Sequence, residues 1–499
     1  MPAGTIMIQG TSSSVGKSLL VAGLCRIFND DGFKVAPFKS QNMALNSAVT
    51  KDGYEISRSQ TMQAEAARTI PTVEMNPVLL KPKGDMRAQV ILRGKPYGDF
   101  GAREYREKVT SDAFRVVSDC LGYLREQYDL IVIEGAGSPA EVNLREHDIA
   151  NMKIAELAEA PVLLVGDIDR GGCLASLVGT LELLTPDERA RVKGLIINKF
   201  RGDLSLLKPG LDFLYKRTGL PVLGVLPYLY LELPEEDSQG IRNHYPDLDS
   251  KIQSIIVGVI KLPRISNFTD FDALSCEPDV ELSFITNPGE LDSCDLVIIP
   301  GTKNTAADLN WLHKNGFVTK IKSLPDRTLI FGICGGYQML GTEIRDLLKL
   351  ESEYTNIVGI GLLPISTDFC SPDKITKQVK GFWVNSKGET FSITGYEIHQ
   401  GISKIVGEAN LFHMESGQIE GCRMGNIYGT YLHGCFDNDE FRWELLNRIR
   451  KNKGIPVSNN NRSYRNVREE SYGLLAETIR KHLDIQAIYQ FMGIKNVAI

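Results

Sequence analysis

Two short stretches hold residue types that can do covalent or phosphoryl chemistry. In "RTLIFGICGGYQML" an apolar run, Leu329 to Ile333, leads straight into Cys334, then Gly335 and Gly336, then residues at helical spacing. A strand that turns sharply into a helix lifts the side chain at the turn to the carboxyl edge of a sheet, and the helix N-terminus there favours a thiolate. Glycine beside the thiol permits the tight turn, and the Gly335 N–H can donate to a tetrahedral oxyanion. Gly301 and Thr302 in "IIPGTKNT", also after an apolar run, offer a second donor. An inert core cysteine is the plain alternative, but inert burial has no use for paired glycines. A thiol used for acyl transfer needs a base. His433 in "IYGTYLHGCFDN" ends an apolar strand and precedes glycine; His399 in "TGYEIHQG" is second choice, and either also reads as a packed core histidine. A metal site of His433, Cys435 and Cys422 has no tetrahedral set at recognisable spacing.

The other stretch is "TIMIQGTSSSVGKSLLVAGL". A strand ends near Gln9, small residues follow, and a helix begins near Lys17, so backbone N–H groups and a helix N-terminus converge where phosphate oxygens can be held. The loop Thr11, Ser12, Ser13, Ser14, Val15, Gly16 would cradle phosphates, Lys17 would add a point charge, and the Ser18 hydroxyl would serve Mg²⁺. Thr11 stands where the usual phosphate-loop pattern has glycine, with Gly10 just outside it. Glu134 in "DLIVIEGAGSPAE" and Asp167 in "GDIDRGG" sit at strand ends and suit Mg²⁺ directly or through water, although Glu134 also reads as a helix cap and the Asp167–Arg170 loop as an internal salt bridge. Asn198 in "NKFRGD" can line a nucleotide base. Lys39, Gln41, Asn42 and Asn46 in "PFKSQNMALNSAV", with Lys81, Lys83 and Arg87 further on and Arg170, would suit an acidic substrate held beside the γ-phosphate. Solvated loop charge explains Lys81, Lys83 and Arg87 equally well.

Both stretches need parallel strands to position them. Apolar runs alternate with amphipathic segments from the start to about Pro227, and a second series runs from "KIQSIIVGVIKLP" to "GNIYGTYLHGCFDNDEF". Runs covered on both faces and joined by helices predict an α/β protein with two mostly parallel-sheet domains. The expected boundaries are 1–230 for the phosphate-loop domain, 231–250 for a linker rich in charge, Pro and Gly, 251–454 for the thiol domain and 455–499 for a helical extension. In the last, Leu474, Leu475, Ile479 and Leu483 are spaced for one apolar face.

The 499 residues are 42% hydrophobic and 24% charged, enough for more than one core. A net charge of −6 gives no basic field for nucleic acid. No apolar stretch is long enough to span a bilayer and no secretory leader is evident, so a membrane partner is not expected. Nine cysteines without a CxxC pair fit a reducing, cytoplasmic setting rather than a disulfide framework.

The Cys334 motif with His433 resembles the class I glutamine amidotransferases, in which the cysteine takes the glutamine amide carbon as a thioester and frees ammonia. That family places a glutamate two residues after the histidine; Cys435 stands there in this chain, so the orienter of His433 is unassigned, with Glu397 and Asp437 nearby in sequence. The first half resembles the dethiobiotin synthetase fold group, whose phosphate loop is matched by Thr11 to Ser18. Taken in order, "QNMALNS", "LIVIEGAGSPAEVNL", "DIDRGG", "NKFRGD", "GICGGYQML", "GYEIH" and "YLHG" resemble the cobyric acid synthase family along nearly the whole chain. The resemblance implies ATP, Mg²⁺ and L-glutamine, and ATP-driven amidation of the b, d, e and g carboxylates of adenosylcobyrinic acid a,c-diamide. Two rivals stay open: the a,c-diamide synthase type with the same two domains, and a nucleotide-switched phosphate-loop protein whose second domain is inert.

Overall fold

The computed structural model describes residues 3–494 apart from 85–86, 235–253, 352–353, 386, 408–409 and 458–461. It divides into two compact units: Met1–Ala44, Tyr54–Glu236 and Arg468–Ile499 form one, and Leu45–Gly53 with Asp237–Val467 form the other. From Arg468 onward the C-terminal helices therefore belong to the first unit, and a nine-residue excursion, Leu45–Gly53, belongs to the second. Most of the expected linker lies outside the described residues.

The first unit is built on a six-stranded parallel sheet, in spatial order Val222–Pro227, Val192–Phe200, Val162–Asp167, Gly4–Gly10, Leu130–Glu134 and Val35–Phe38. Leu130–Glu134 is buried at every position, as a strand covered on both faces requires. The stretch with Lys81, Lys83 and Arg87 is strand rather than loop: Val78–Gly84, Arg87–Leu92 and Lys95–Gly101 form an antiparallel meander. Near the C-terminus a helix spans Tyr464–His482 and a shorter one Ile485–Phe491. Leu475, Ile479 and Leu483 are buried in the core that includes Leu20 and Leu24 of the helix Lys17–Asp30, but Leu474 is 48% exposed and off the expected face.

In the second unit the order Val280–Ile285, Ile255–Ile260, Leu296–Ile299, Leu329–Ile333, Ile427–Thr430 is parallel, and the sheet continues antiparallel through Ile419–Met424, Asn410–Met414, Ile375–Val384 and Thr390–His399. The antiparallel half explains why "TGYEIH" does not look like a βα unit: hairpin partners need no crossover helix. All nine cysteines are free. Among the described residues no helix is long and apolar enough to cross a membrane.

Candidate active site

Four neighbouring parallel strands of the second unit deliver the thiol site, each through the loop at its carboxyl end, where open α/β sheets bind ligands. After Ile255–Ile260 comes Asp270, after Leu296–Ile299 come Gly301 and Thr302, after Leu329–Ile333 comes Cys334, and after Ile427–Thr430 comes His433. Cys334 has φ 53 and ψ −109, a strained conformation for a residue with a Cβ, and the helix Gly335–Leu340 starts directly after it. That is the strand–turn–helix elbow the sequence predicts. A Cβ on Gly335 would lie 2.8 Å from Thr302 Cγ2 and 3.3 Å from Thr302 N, so only glycine lets the elbow approach the Gly301–Thr302 loop. The two expected oxyanion donors are thus neighbours, and a Cβ on Gly301 would meet His433 Cε1 at 3.3 Å.

His433 Nδ1 lies 2.7 Å from Asp270 Oδ2, and the Gly434 N–H donates to Asp270 Oδ1 at 3.1 Å. Both side chains are buried. Burial opposes a charged imidazole, but the Asp270 carboxylate and a hydrogen bond with Cys334 outweigh it and push the ring up to about 10. Asp270 on Nδ1 leaves Nε2 to serve the thiol, the division of labour of a catalytic triad. Asp270 is the His433 partner that sequence reading misses. Glu397 does not take that place: it accepts from His399 Nε2 at 3.2 Å and pairs with Lys377 at 3.3 Å. His399, second choice as base, has Nδ1 on Gly401 O and its ring stacked on Tyr431. Cys435 is fully buried, and burial raises its thiol well above the ordinary value. The one signal for Asp270 was its loop, which follows a strand of the same sheet.

In the first unit the same edge gathers the phosphate-loop residues. Thr11 N–H donates to Val165 O, and Ser12 Oγ donates to Ser13 O. Gly16 has φ 99, and Asn198 Nδ2, bonded to Val15 O at 2.8 Å, fills the space a Cβ there would need. Lys17 Nζ donates to Ser12 O at 2.9 Å and Gly137 O at 3.1 Å. Ser18 Oγ donates to Glu134 Oε1 at 2.8 Å; the same carboxylate receives Lys39 Nζ at 2.9 Å and Gln63 Nε2. Asp167 takes Lys199 Nζ at 2.9 Å, with Arg170 at 3.9 Å, and Lys199 also bonds Ser14 O.

The expected acidic-substrate residues disperse. Gln41 accepts from Tyr105 OH at 2.6 Å, and Asn42 Nδ2 donates to Ser57 Oγ at 2.6 Å. Lys81 forms a buried ion pair with Glu55, and Lys83 pairs near the surface with Asp99. Asn46 falls in the second unit, where its Oδ1 accepts from the Phe268 N–H at 3.1 Å. Among the described residues no three or more His, Cys, Asp or Glu side chains form a metal cluster. The Ser18–Glu134 oxygen pair nevertheless fits Mg²⁺, which takes one or two protein oxygens and otherwise water and phosphate.

Residues 6–239 match the CobQ/CobB/MinD/ParA nucleotide binding domain, and residues 256–441 match the CobB/CobQ-like glutamine amidotransferase domain. A cobyric acid synthase of Moorella thermoacetica is 48% identical over 99% of this chain and 98% of its own length. Those of Carboxydothermus hydrogenoformans and Clostridium acetobutylicum are 49% and 50% identical, covering 99% and 98% of this chain and 100% and 99% of their own. With identity of this extent along both units, the chain belongs to the cobyric acid synthase family, and is a glutamine-dependent amidoligase of cobalamin biosynthesis.

Proposed function

We propose that the chain amidates the b, d, e and g carboxylates of adenosylcobyrinic acid a,c-diamide, with ATP as activator and glutamine as nitrogen donor. Cys334 attacks the glutamine amide carbon; His433 holds the thiol proton and passes it to the departing ammonia, and water then releases glutamate from the thioester. Asp270 keeps His433 in the tautomer that presents Nε2 and balances the imidazolium. Backbone N–H groups of Gly335 and Thr302 receive the oxyanion.

In the other half-reaction a substrate carboxylate takes the γ-phosphoryl group, and ammonia displaces phosphate from the acyl phosphate. Lys17 and the loop backbone hold the phosphates, and Asn198 fixes the loop shape through Val15 O. Ser18 and Glu134 are the residues that would hold Mg²⁺, which supplies charge neutralisation at the phosphates. Lys39 moves from Glu134 toward the acidic substrate in this scheme. ATP on the loop and a corrinoid carboxylate beside it give both units a reason to share one chain.

The observation that carries the proposal is the buried Asp270–His433 pair, 2.7 Å apart, on the loops that follow strands flanking the strained Cys334 elbow. An inert second domain has no use for that arrangement. The test is product formation from cobyrinic acid a,c-diamide and ATP with glutamine, then with ammonium, for wild type and Cys334→Ala. Glutamine fails in the variant and ammonium still works. Glutamine-supported amidation in Cys334→Ala would sink the thiol assignment; loss of both nitrogen sources in a folded variant would sink the division of labour. Mass analysis separates a product with four new amides from the unchanged substrate expected of an a,c-diamide synthase, whose two amides are already in place.

A further inference from the structure

Asn267 lies three residues before Asp270 and adopts φ 52, left-handed backbone for a residue with a side chain. Its amide is part of a closed ring of hydrogen bonds. The Ser47 N–H donates to Asn267 Oδ1 at 3.1 Å, Asn267 Nδ2 donates to Tyr396 Oη at 3.3 Å, and the Tyr396 OH donates to Ser47 O at 2.9 Å. Each donor and acceptor role in the ring is used consistently, so the three bonds polarise one another in the same sense. All three residues are buried.

The ring borders the base. Tyr396 stacks on the His433 imidazole with centroids 5.2 Å apart and planes 17° from parallel, and the two backbones exchange hydrogen bonds at 2.9 and 3.2 Å. Asn267 Nδ2 lies 3.4 Å from His433 Nδ1, the atom that Asp270 holds. Next to Ser47, Asn46 Oδ1 takes the Phe268 N–H and so fixes the start of the turn Phe268–Phe271 that carries Asp270. Asn46 Nδ2 is buried without an acceptor among the described residues. A left-handed asparagine and an unsatisfied buried amide are both local costs, and costs of this kind concentrate where geometry serves function.

We propose that Asn46 and Ser47, through Asn267 and Tyr396, are positioning residues of the thiol half-reaction that fix the His433 ring between Tyr396 and Asp270. The inference rests on Cys334 and His433 acting on glutamine. It assigns a role to a segment some two hundred residues before the amidotransferase match at 256–441, a segment that would otherwise count with the nucleotide-binding match at 6–239.

The experiment uses the full chain and compares wild type, Cys334→Ala, Tyr396→Phe, Asn267→Gly and the double variant of the last two. Tyr396→Phe keeps the stack and removes the hydroxyl; Asn267→Gly keeps the left-handed backbone and removes the amide. Each single variant lowers kcat with glutamine by on the order of tenfold, with little change in KM, because a misplaced base slows chemistry more than binding. Ammonium-supported amidation stays at the wild-type rate. The double variant loses no more than the more damaging single variant does, because either change opens the same ring. Three results overturn the inference: wild-type kcat with glutamine in both single variants, an equal fall with ammonium, or losses that multiply in the double variant. If Cys334→Ala still uses glutamine, the thiol assignment fails and takes this inference with it; if Cys334→Ala is dead with glutamine while the ring variants are wild type, only the positioning role fails.

Discussion

Each unit places its chemistry at the carboxyl edge of a parallel sheet, yet the two edges are prepared differently. In the thiol unit the groups proposed to act on glutamine are aligned with one another: Asp270 on His433 Nδ1, His433 beside Cys334, and the Thr302 backbone against Gly335. In the nucleotide unit the cations are bonded to protein oxygens: Lys17 to Ser12 and Gly137, Lys39 to Glu134, Lys199 to Asp167 and Ser14. On the proposed function, glutamine therefore meets an aligned nucleophile, whereas a triphosphate must exchange partners with cations already engaged. Covalent catalysis asks for fixed geometry among a few side chains; phosphoryl transfer asks for charge that follows the substrate.

The largest effect that tests this contrast is at Lys17. Lys17→Ala removes the cation nearest the expected phosphates and abolishes amidation with either nitrogen source, by a thousandfold or more on the order expected for a phosphate-clamping group. Glutamate release at Cys334 survives in the variant when measured without product formation. Sustained amidation would mean that the loop does not serve phosphates.

Next in size is Asp270→Asn. It keeps the shape and removes the charge that orients His433, so kcat with glutamine falls by on the order of a hundredfold or more while the ammonium rate is unchanged. Equal losses with both donors would show that Asp270 holds the unit together rather than the base. The wild-type pH profile follows from the same pair. Cys334, Asp270 and the Tyr396 ring face the imidazole. Because His433 is raised above its ordinary 6.5 to about 10, its proton is present through neutral pH and is lost as pH rises through about 10. The stability that the pair contributes is whole below about 6.5 and disappears over that same upper range. A glutamine-supported rate measured against pH should fall on its alkaline side near 10, and Asp270→Asn should draw that limb downward.

Much of this was legible in sequence wherever the signal was local. The runs around Ile6, Leu130, Leu163, Ile298 and Leu329 are strands because apolar residues with no polar alternation must be covered on both faces. The Cys334 elbow was legible from its flanking glycines. What stayed hidden depends on pairing across long separations: Asp270 reaches His433 over 163 positions, and Lys81 on the meander finds Glu55, on the separate strand Glu55–Ser57, in a buried pair. Leu474 fitted a helical stripe that also held Leu475, and spacing alone did not separate the residue at the stripe's exposed margin from its buried neighbour. Asn46 reads as part of a polar run, and only the tertiary structure takes it into the other unit.

The smallest effect concerns Glu397, one of the two carboxylates that the sequence offers as orienters of His433. Glu397 lies on the strand that pairs with Ile375–Val384, and it is engaged by His399 and Lys377. Burial works to raise its pKa, yet those two partners hold it below the ordinary carboxylate value. Its charge is thus already matched away from His433, so Glu397→Gln should change kcat with glutamine by less than about tenfold and leave the alkaline limb in place. A shift of that limb as large as the one from Asp270→Asn would mean that His433 answers to both carboxylates, and the aligned thiol site would then resemble the nucleotide site in sharing its charges among several partners.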